Sequence, residues 1–423
     1  MPHKKIKKVL IFSLAYYPTF VGGAEVAIKE ITDRLPPEEF EFHVLTLRFD
    51  SHLPKMEKIG NVIVHRIGFS KASPTFVDLK KFPLFLDKYW FQFAAVFAAL
   101  RLHRRYRFTG IWAMMSHSCG IPAGIFKTLH PEVPYLLTLQ EGDSPEHVER
   151  LARPVWPLFK RSFTEADALQ AISNFLLAWG ERMGFRGEGR LIPNGADTAH
   201  FSKNLSADER AKLRARFGIG ENGIMLVSTS RLVHKNALDD VIRALPMLPS
   251  NVYFINFGFG PDKNKLALFA QKLGVSSRVV LEDYPGIAVL PDYLHACDIF
   301  IRPSRSEGMG ISFIEAMAAE LPVIATQEGG IADFLFDAQR NSDKETTGWA
   351  VDKDSPEQIA SAVRDILADP EKVARVKAAA KKLVLEKYDW NLIAKQMERL
   401  FQTVFAGPQL LTFCNPWYII HGG

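Results

Sequence analysis

Cysteine and long hydrophobic runs are both scarce in this chain of 423 residues. The three cysteines, Cys119, Cys297 and Cys414, have neither metal-ligand nor redox spacing. Such usage is typical of a reducing compartment in which thiols stay free. The longest apolar stretch, Tyr89 to Leu102, is broken by Gln92 and is too short to span a bilayer. Integral membrane proteins of the helical type and disulfide-stapled scaffolds are therefore excluded.

The loops that follow the predicted strands lack two common nucleotide-binding patterns. The chain has no Gly-Lys-Ser/Thr phosphate loop, which argues against NTP hydrolysis, and the Gly22-Gly23 loop after the first strand is not a G-x-G-x-x-G sequence. The segment 258–261, Gly-Phe-Gly-Pro, also follows a strand, but it lacks a third glycine, and Pro261 suits the first position of a helix. We interpret that segment as a turn and expect no dinucleotide or other cofactor.

The N-terminus is basic without forming a complete targeting signal. Its lysines could pass for the charged region of a signal peptide, but Val9 to Ala15 is too short for the apolar core of one. We predict that it forms the first β-strand of a cytoplasmic protein. Residues 1–200 carry 26 Lys and Arg against 20 Asp and Glu, out of 52 against 47 in the whole chain. This excess could meet an anionic membrane or acceptor, or simply promote solubility.

Apolar strands alternate with helical patterns along the chain, in two series separated by a polar segment at 202–222. Such alternation predicts an α/β fold of two Rossmann-like domains whose parallel sheets face a central cleft. Ligands are expected at the carboxyl ends of the strands. The predicted strands are Val9–Ser13, Phe42–Leu47, Val62–Ile67, Ile111–Met115, Tyr135–Leu139, Ala168–Ile172 and one that ends in the turn at 190–195, then Ile224–Thr229, Val252–Phe257, Val279–Leu281, Ile299–Ile301 and Val323–Ala325.

The segment 298–326 carries the most information. It predicts a strand, a loop containing Glu307-Gly308-Met309-Gly310, a helix from Ile311, and a second strand. A glycine-rich turn at a helix start leaves N–H groups directed at an anion, most often phosphate. Glutamates do not bind phosphate, but they accept hydrogen bonds from hydroxyls.

A second glutamate, Glu315, lies in the helix that follows this loop. N–H groups that can donate to phosphate, beside two carboxylates that can accept from hydroxyls, indicate a nucleotide sugar. A generic strand-turn-helix of an α/β domain is the alternative.

This spacing, with Glu-Ala-Met-Ala from Glu315 and Pro-Val-Ile-Ala-Thr after it, resembles the donor-site signature of family-4 retaining glycosyltransferases of the GT-B fold. The resemblance covers nearly the whole chain. It implies an acceptor domain at 1–200, a donor domain at 201–389, and a helix at 390–405 that crosses back to the first domain. It also implies that the loop N–H groups hold a diphosphate, that Glu315 accepts from ribose hydroxyls, and that Glu307 accepts from sugar hydroxyls. The tail, 406–423, has no predicted role.

Arg231 and Lys235 follow the first strand of the second series. An arginine offers a planar fork to phosphate oxygens, and a lysine offers a mobile charge. The family has glycine before the arginine and places its lysine one position later, whereas this chain has Ser230 and a shorter loop. The resemblance implies that both cations hold the diphosphate. A solvated loop with two cations is the alternative.

Gly22 and Gly23 follow the first strand of the first series and precede a predicted helix. Glycines there let the backbone approach a ligand closely, and the helix N-terminus points at the cleft. The resemblance places this loop against the donor phosphate and the acceptor. His117, just past the strand Ile111–Met115, is placed by the same resemblance near the reacting carbon, although a structural histidine is the alternative.

Two acidic residues end the strand Tyr135–Leu139. The segment Gln140-Glu141-Gly142-Asp143 departs from the His-Gly sequence that the family often has. We predict that Glu141 or Asp143 binds acceptor hydroxyls, with a turn-forming role as the alternative. The segment Asp352-Lys353-Asp354 has the Asp-x-Asp pattern of a metal-nucleotide motif, but it precedes a predicted helix start and we expect no metal.

The segment 80–107 combines basic ends with an aromatic and aliphatic centre. A membrane-surface helix and a buried helix with a basic end both fit this composition.

Together these features predict a metal-independent, retaining hexosyltransferase with His117, Glu307, Arg231 and Lys235 in catalytic roles. The expected partners are a nucleotide sugar, such as a UDP- or GDP-hexose, and a lipid-linked or glycan acceptor, with no nucleic acid. The family's commonest setting is envelope or exopolysaccharide synthesis at the inner face of the membrane. Two alternatives stay open: an epimerase of nucleotide sugars on the same fold, for which His117 is the sole acid-base candidate, and an inactive nucleotide-sugar-binding protein.

Overall fold

The computed structural model describes residues 6–75 and 78–406. The chain forms two α/β domains, each built on a parallel sheet, as the alternation of strands and helices predicts. The predicted tail lies outside the described residues beyond Ala406. Among the described helices, none combines the length and the apolar character that crossing a bilayer would need.

The described residues of the first domain form eight strands and six α-helices, apart from α15, which follows the second domain. The strands are β1 (Lys7–Phe12), β2 (Phe40–Leu47), β3 (Met56–Ile59), β4 (Val62–Ile67), β5 (Gly110–Met114), β6 (Tyr135–Leu139), β7 (Ala168–Ala171) and β8 (Arg190–Leu191). The helices are α1 (Gly23–Asp33), α2 (Leu84–Tyr106), α3 (Ile121–Leu129), α4 (Pro145–Ala152), α5 (Trp156–Thr164) and α6 (Asn174–Arg182), with a π-helical turn at Ser116–Gly120. The strand order is β3-β4-β2-β1-β5-β6-β7-β8, and only β3 pairs antiparallel.

The second domain contains six strands, and the helices α7 and α8 lead into it. The helices are α7 (Thr198–Phe201), α8 (Ala207–Arg216), α9 (Leu238–Ala244), α10 (Lys263–Lys272), α11 (Leu290–Ala296), α12 (Ile311–Ala318), α13 (Pro356–Ala368), α14 (Pro370–Lys387) and α15 (Trp390–Val404). The strands are β9 (Ile224–Thr229), β10 (Val252–Phe257), β11 (Val279–Glu282), β12 (Ile299–Arg302), β13 (Val323–Ala325) and β14 (Trp349–Ala350). All pair in parallel, in the order β11-β10-β9-β12-β13-β14.

The central strands are apolar because helices cover both faces of each sheet. In β1, Val9 and Ile11 pack with α1 and α15 on one face, while Leu10 and Phe12 pack with α2 and α3 on the other. Helix α15 packs against the first domain, where Phe401 contacts the ring of Trp112. Although α15 follows the second domain in sequence, it thus belongs to the core of the first.

Two strands escaped prediction, and both lie at a sheet edge. Strand β3 alternates exposed and half-buried residues, so its sequence Met-Glu-Lys-Ile lacks an apolar run. Strand β14 has only two residues. The predicted strands elsewhere agree with the observed ones to within two residues, because burial on both faces leaves a clear apolar signal.

Candidate active site

Two helices that begin at glycines face each other between the domains. Gly22 is the N-cap of α1, and Gly310 is the N-cap of α12. A β-carbon placed on Gly23 would lie 3.6 Å from Cδ1 of Ile311. The partial positive charge of both helix N-termini is therefore directed at the same space.

The loop before α12 requires glycine at two positions. Gly310 has a φ of +88°, and a β-carbon there would lie 2.5 Å from Nη2 of Arg302. A β-carbon on Gly308 would lie 2.2 Å from the carbonyl oxygen of Glu141 in the first domain. The glycines thus let one loop pass close to its own arginine and to the opposite domain.

Three N–H groups of this loop lack protein partners. The amide of Gly308 donates to Oε1 of Glu307 over 3.1 Å. Those of Met309, Gly310 and Ile311 form no hydrogen bond with any described residue. The Met309 side chain is buried, and its sulfur accepts from an N–H of the first domain. An anion at the start of α12 would meet three unpaired donors.

Arg302 is a buried residue that the sequence analysis missed. Its guanidinium donates to Oε2 of Glu307 over 2.8 Å and to Oγ of Ser312 over 2.9 Å, and it lies 4.1 Å from the ring centre of Phe313. The only signal for it was a cation directly after the apolar residues of β12. Arg302 fixes the Glu307 carboxylate at the edge of the cleft.

Glu315 lies nearly buried in α12, and its side-chain carboxyl has no hydrogen bond or ion pair with another described residue. Burial raises the pKa of its carboxyl to about 7; the charge of Arg302 opposes this rise, and Glu30 of the first domain adds to it. The hydroxyl groups of a ligand could therefore donate the hydrogen bonds that this carboxylate lacks in the protein alone.

Arg231 is exposed at the end of β9. Its guanidinium forms no hydrogen bond or ion pair within the described part of the chain. Its charge acts on Glu25 and Asp143 of the first domain and on Arg302 of the second. Arg231 thus lies between the domains, with its guanidinium donors unpaired among the described residues.

Lys235, in contrast, is already engaged across the cleft. Its Nζ donates to the carbonyl oxygen of Gly142 over 2.6 Å and lies 3.0 Å from Oδ1 of Asp143. Burial acts to raise the pKa of the Asp143 carboxyl, but the charge and hydrogen bond of Lys235, together with the charges of His147 and Arg231, lower it overall. Lys235 therefore joins the two domains in this structure.

Arg305 holds the loop that carries both cations. Its guanidinium bonds Asp239, Asp240 and Asp354 over 2.6 to 2.9 Å, and its amide donates to the carbonyl oxygen of Lys235. The sequence analysis missed this residue as well, because its partners are distant in the chain.

Glu141 is buried beneath the cleft rather than exposed in it. Its Oε1 accepts from the N–H and the hydroxyl of Ser116, both over 2.6 Å, while Oε2 has no partner. Burial raises the pKa of this carboxyl, against the effect of the Ser116 bonds. Glu141 supports the turn after β5, whereas the neighbouring Asp143 is half exposed and faces the cleft. The predicted acceptor contacts of both residues stay predictions.

His117 lies in the π-helical turn that Glu141 supports. Its ring contacts Phe159 edge to face, and its carbonyl oxygen accepts from Gln92 of α2. Burial, with a contribution from the Lys88 charge, lowers the pKa of the imidazole. The ring is half-buried and carries no proton-relay partner among the described residues. Its predicted role at the reacting carbon stays a prediction.

The carboxylates of the segment 352–354 are bonded to arginines. Asp352 pairs with Arg340 over 2.9 Å, and Asp354 pairs with Arg305. The helix α13 begins two residues later, as predicted, although Ser355 forms no side-chain cap. One group with ligand-like spacing occurs among the described residues. It consists of His103, His130 and Glu132, near the amino ends of β5 and β6, on the side opposite the cleft.

Comparison with known proteins agrees with the resemblance. The model of Glycosyltransferase Family 4 matches residues 21–200, and that of Glycosyl transferases group 1 matches residues 209–383. The chain is 30% identical over 253 residues to a GDP-mannose-dependent alpha-(1-6)-phosphatidylinositol monomannoside mannosyltransferase of Mycolicibacterium smegmatis. That match covers 57% of this chain and 63% of the relative.

Two solved structures share the fold over nearly their whole length. Sucrose-phosphate synthase from Thermosynechococcus elongatus has a TM-score of 0.76 at 20% identity, covering 95% of this chain and 99% of its own. Anabaena HepE, crystallised with UDP-glucose, has a TM-score of 0.72 at 21% identity and covers 94% and 99%. The chain therefore belongs to the family-4 glycosyltransferases of the GT-B fold.

Proposed function

We propose that the protein transfers a hexose from a nucleotide-diphosphate sugar, such as a UDP- or GDP-hexose, to a lipid-linked or glycan acceptor, with retention of configuration. The setting we propose is cell-envelope or exopolysaccharide synthesis at the cytoplasmic face of the membrane. One observation carries the proposal: the amides of Met309, Gly310 and Ile311 have no hydrogen-bond partner among the described residues, nor does the exposed guanidinium of Arg231, whose charge acts on Arg302.

The diphosphate binds at this place in our account. The amides of Met309, Gly310 and Ile311 donate to its oxygens, and Arg231 forms a charge-assisted pair with them. As the bond between the sugar and the phosphate breaks, negative charge grows on the departing diphosphate. Donors that are already oriented stabilise this charge without reorganisation.

The acceptor attacks from the face that the leaving group vacates. A phosphate oxygen of the leaving group takes the proton of the acceptor hydroxyl, so no carboxylate nucleophile is needed. Glu307, held by Arg302, accepts from the sugar hydroxyls, and Glu315 accepts from the ribose. Closure of the two domains excludes water, which would otherwise hydrolyse the donor.

The relatives support this choice of substrates. One is dependent on GDP-mannose and acts on a phosphatidylinositol mannoside, and another was crystallised with UDP-glucose. The two proteins differ in the nucleotide, GDP in one and UDP in the other. We therefore propose the class of donor and leave the base to experiment.

Product analysis tests the proposal. The protein is incubated with labelled UDP- and GDP-hexoses, with and without a membrane extract as the source of acceptor. We expect a new glycoside that retains the anomeric configuration of the donor, measured by NMR, and activity that survives EDTA. An epimerase would convert the nucleotide sugar without any acceptor, and an inactive binding protein would yield no product. A strict requirement for Mg²⁺ or Mn²⁺ would contradict the metal-independent mechanism.

A further inference from the structure

Helix α2 exposes a row of aromatic side chains. Phe85, Tyr89, Phe93 and Phe97 recur every four residues, and each is exposed, Phe97 to 74%. Trp90, at 55%, stands beside this row. Residues four apart lie above one another on a helix, so these rings form one continuous stripe. We call these five residues the aromatic stripe.

The other face of α2 packs normally. Phe91, Ala95 and Ala99 are fully buried in the core of the first domain. The helix therefore has two apolar faces, and only one of them is covered. Soluble domains scatter single exposed apolar residues over their surface, but a contiguous exposed patch marks an interaction site.

Cations surround the stripe. Lys80, Lys81 and Lys88 are exposed at its first half, and Arg101 and Arg104 are exposed where it ends. Arg101 occupies the next four-residue step after Phe97. In the described helix α2 the one acidic residue, Asp87, is buried and bonded to a backbone N–H. An apolar stripe rimmed by positive charge is complementary to an anionic lipid surface.

The stripe reaches the cleft. Strand β4 ends at the carboxyl edge of its sheet, and β5 begins at the amino edge, so α2 runs away from the cleft and its first half lies beside it. The charge of Lys88 acts on His117, and Gln92 donates to the carbonyl oxygen of His117. A surface that held the stripe would therefore lie next to the opening of the predicted active site.

We propose that the aromatic stripe inserts into the interface of an anionic membrane, so that a lipid-linked acceptor enters the cleft without leaving the bilayer. The part concerning the acceptor rests on the proposed function, whereas membrane binding itself does not. Charge favours this occupant over a second copy of the chain, since two such rims would repel each other.

Vesicle co-sedimentation of the full chain tests the proposal. We expect binding to vesicles of phosphatidylcholine with phosphatidylglycerol, weak binding to phosphatidylcholine alone, and loss of binding at high salt. A triple variant, Phe85→Ser, Phe93→Ser and Phe97→Ser, should reduce the affinity for anionic vesicles roughly tenfold or more, because it removes apolar area that would be buried in the membrane. Leu268→Ser, at a residue of α10 that is 66% exposed, is the matched control and should bind like wild type.

Trp90 offers a direct reading of insertion. Brominated lipid should quench tryptophan fluorescence in the wild type, and the quenching should largely vanish in Trp90→Phe, which retains the other six tryptophans. Equal quenching in both proteins would show that another surface binds and would overturn the proposal.

Two further results would also overturn the proposal. One is a wild-type protein that does not bind anionic vesicles, and the other is a wild-type dimer in lipid-free solution that the triple variant does not form. Binding of UDP or GDP, measured by titration, should be equal in wild type and the triple variant. Loss of vesicle binding with intact nucleotide binding is thus separable from failure of the proposed function, in which neither protein would bind a nucleotide.

Discussion

Each domain directs a glycine-capped helix at the cleft, but the two helices differ in whether the amides at their starts have hydrogen-bond partners. At α1, Oε2 of Glu25 accepts from the amide of Gly22 over 2.7 Å, so the protein's own carboxylate already covers the helix start. At α12 the amides of Met309, Gly310 and Ile311 have no partner among the described residues, and the nearby carboxylate of Glu307 is held by Arg302. This difference supports our proposal that the second domain binds the phosphates.

The strongest test of this difference removes Arg231. Arg231→Ala should lower kcat/KM. The loss should correspond to about 2–4 kcal/mol of transition-state stabilisation, because the substitution removes a charge-assisted contact to the leaving group. The melting temperature should not change, since the side chain has no described partner. Arg375→Ala, an exposed arginine of α14, is the control and should retain full activity. Wild-type turnover in Arg231→Ala would refute the phosphate site.

The two buried glutamates, Glu25 and Glu315, have different places in our proposal, but they should have similar effects on stability. Burial raises the pKa of both Glu25 and Glu315 to about 7. A carboxyl with a raised folded pKa binds its proton more tightly in the folded state, so stability falls as the pH rises from the unfolded pKa to about 7. Glu25→Gln and Glu315→Gln should each raise the free energy of unfolding at pH 8, by up to about 3 kcal/mol, and have little effect near pH 4.

Chemical denaturation at both pH values measures this. A stabilisation that is equal at pH 4 and pH 8 would mean that packing, and not ionisation, is responsible. Binding measurements should then distinguish the two residues, because only Glu315→Gln should weaken the binding of the nucleoside diphosphate.

A smaller effect is expected at Lys235. Its amine already contacts Gly142 and Asp143. A phosphate that bound Lys235 would therefore replace existing contacts instead of forming entirely new ones. Lys235→Ala should cost about 1–2 kcal/mol in kcat/KM, less than Arg231→Ala. Asp143→Asn should change stability little, because half-exposed ion pairs contribute little. If Lys235→Ala proves more damaging than Arg231→Ala, the roles of the two cations are reversed.

The sequence predicted the parts of this molecule that depend on local pattern. Buried strands such as β9 have continuous apolar runs, and the glycines of 308–310 stand where the backbone needs them. Contacts between distant residues left no such trace. No spacing shows that Arg302 turns back to hold Glu307, or that Glu141 bonds Ser116 beneath the cleft. Lys235 was predicted from its position, but its bond to the opposite domain depends on how the domains meet.

The most direct test of the account is calorimetric titration of the nucleoside diphosphate alone, without sugar, into wild type, Glu315→Gln and Glu307→Gln. Our account predicts that Glu315→Gln weakens binding, because it loses a carboxylate that faces the ribose. Glu307→Gln should bind the diphosphate nearly as wild type does, while its transfer activity falls, since its partners are on the sugar. Equal weakening in both variants would contradict the account and place the donor in a different register along residues 307–315.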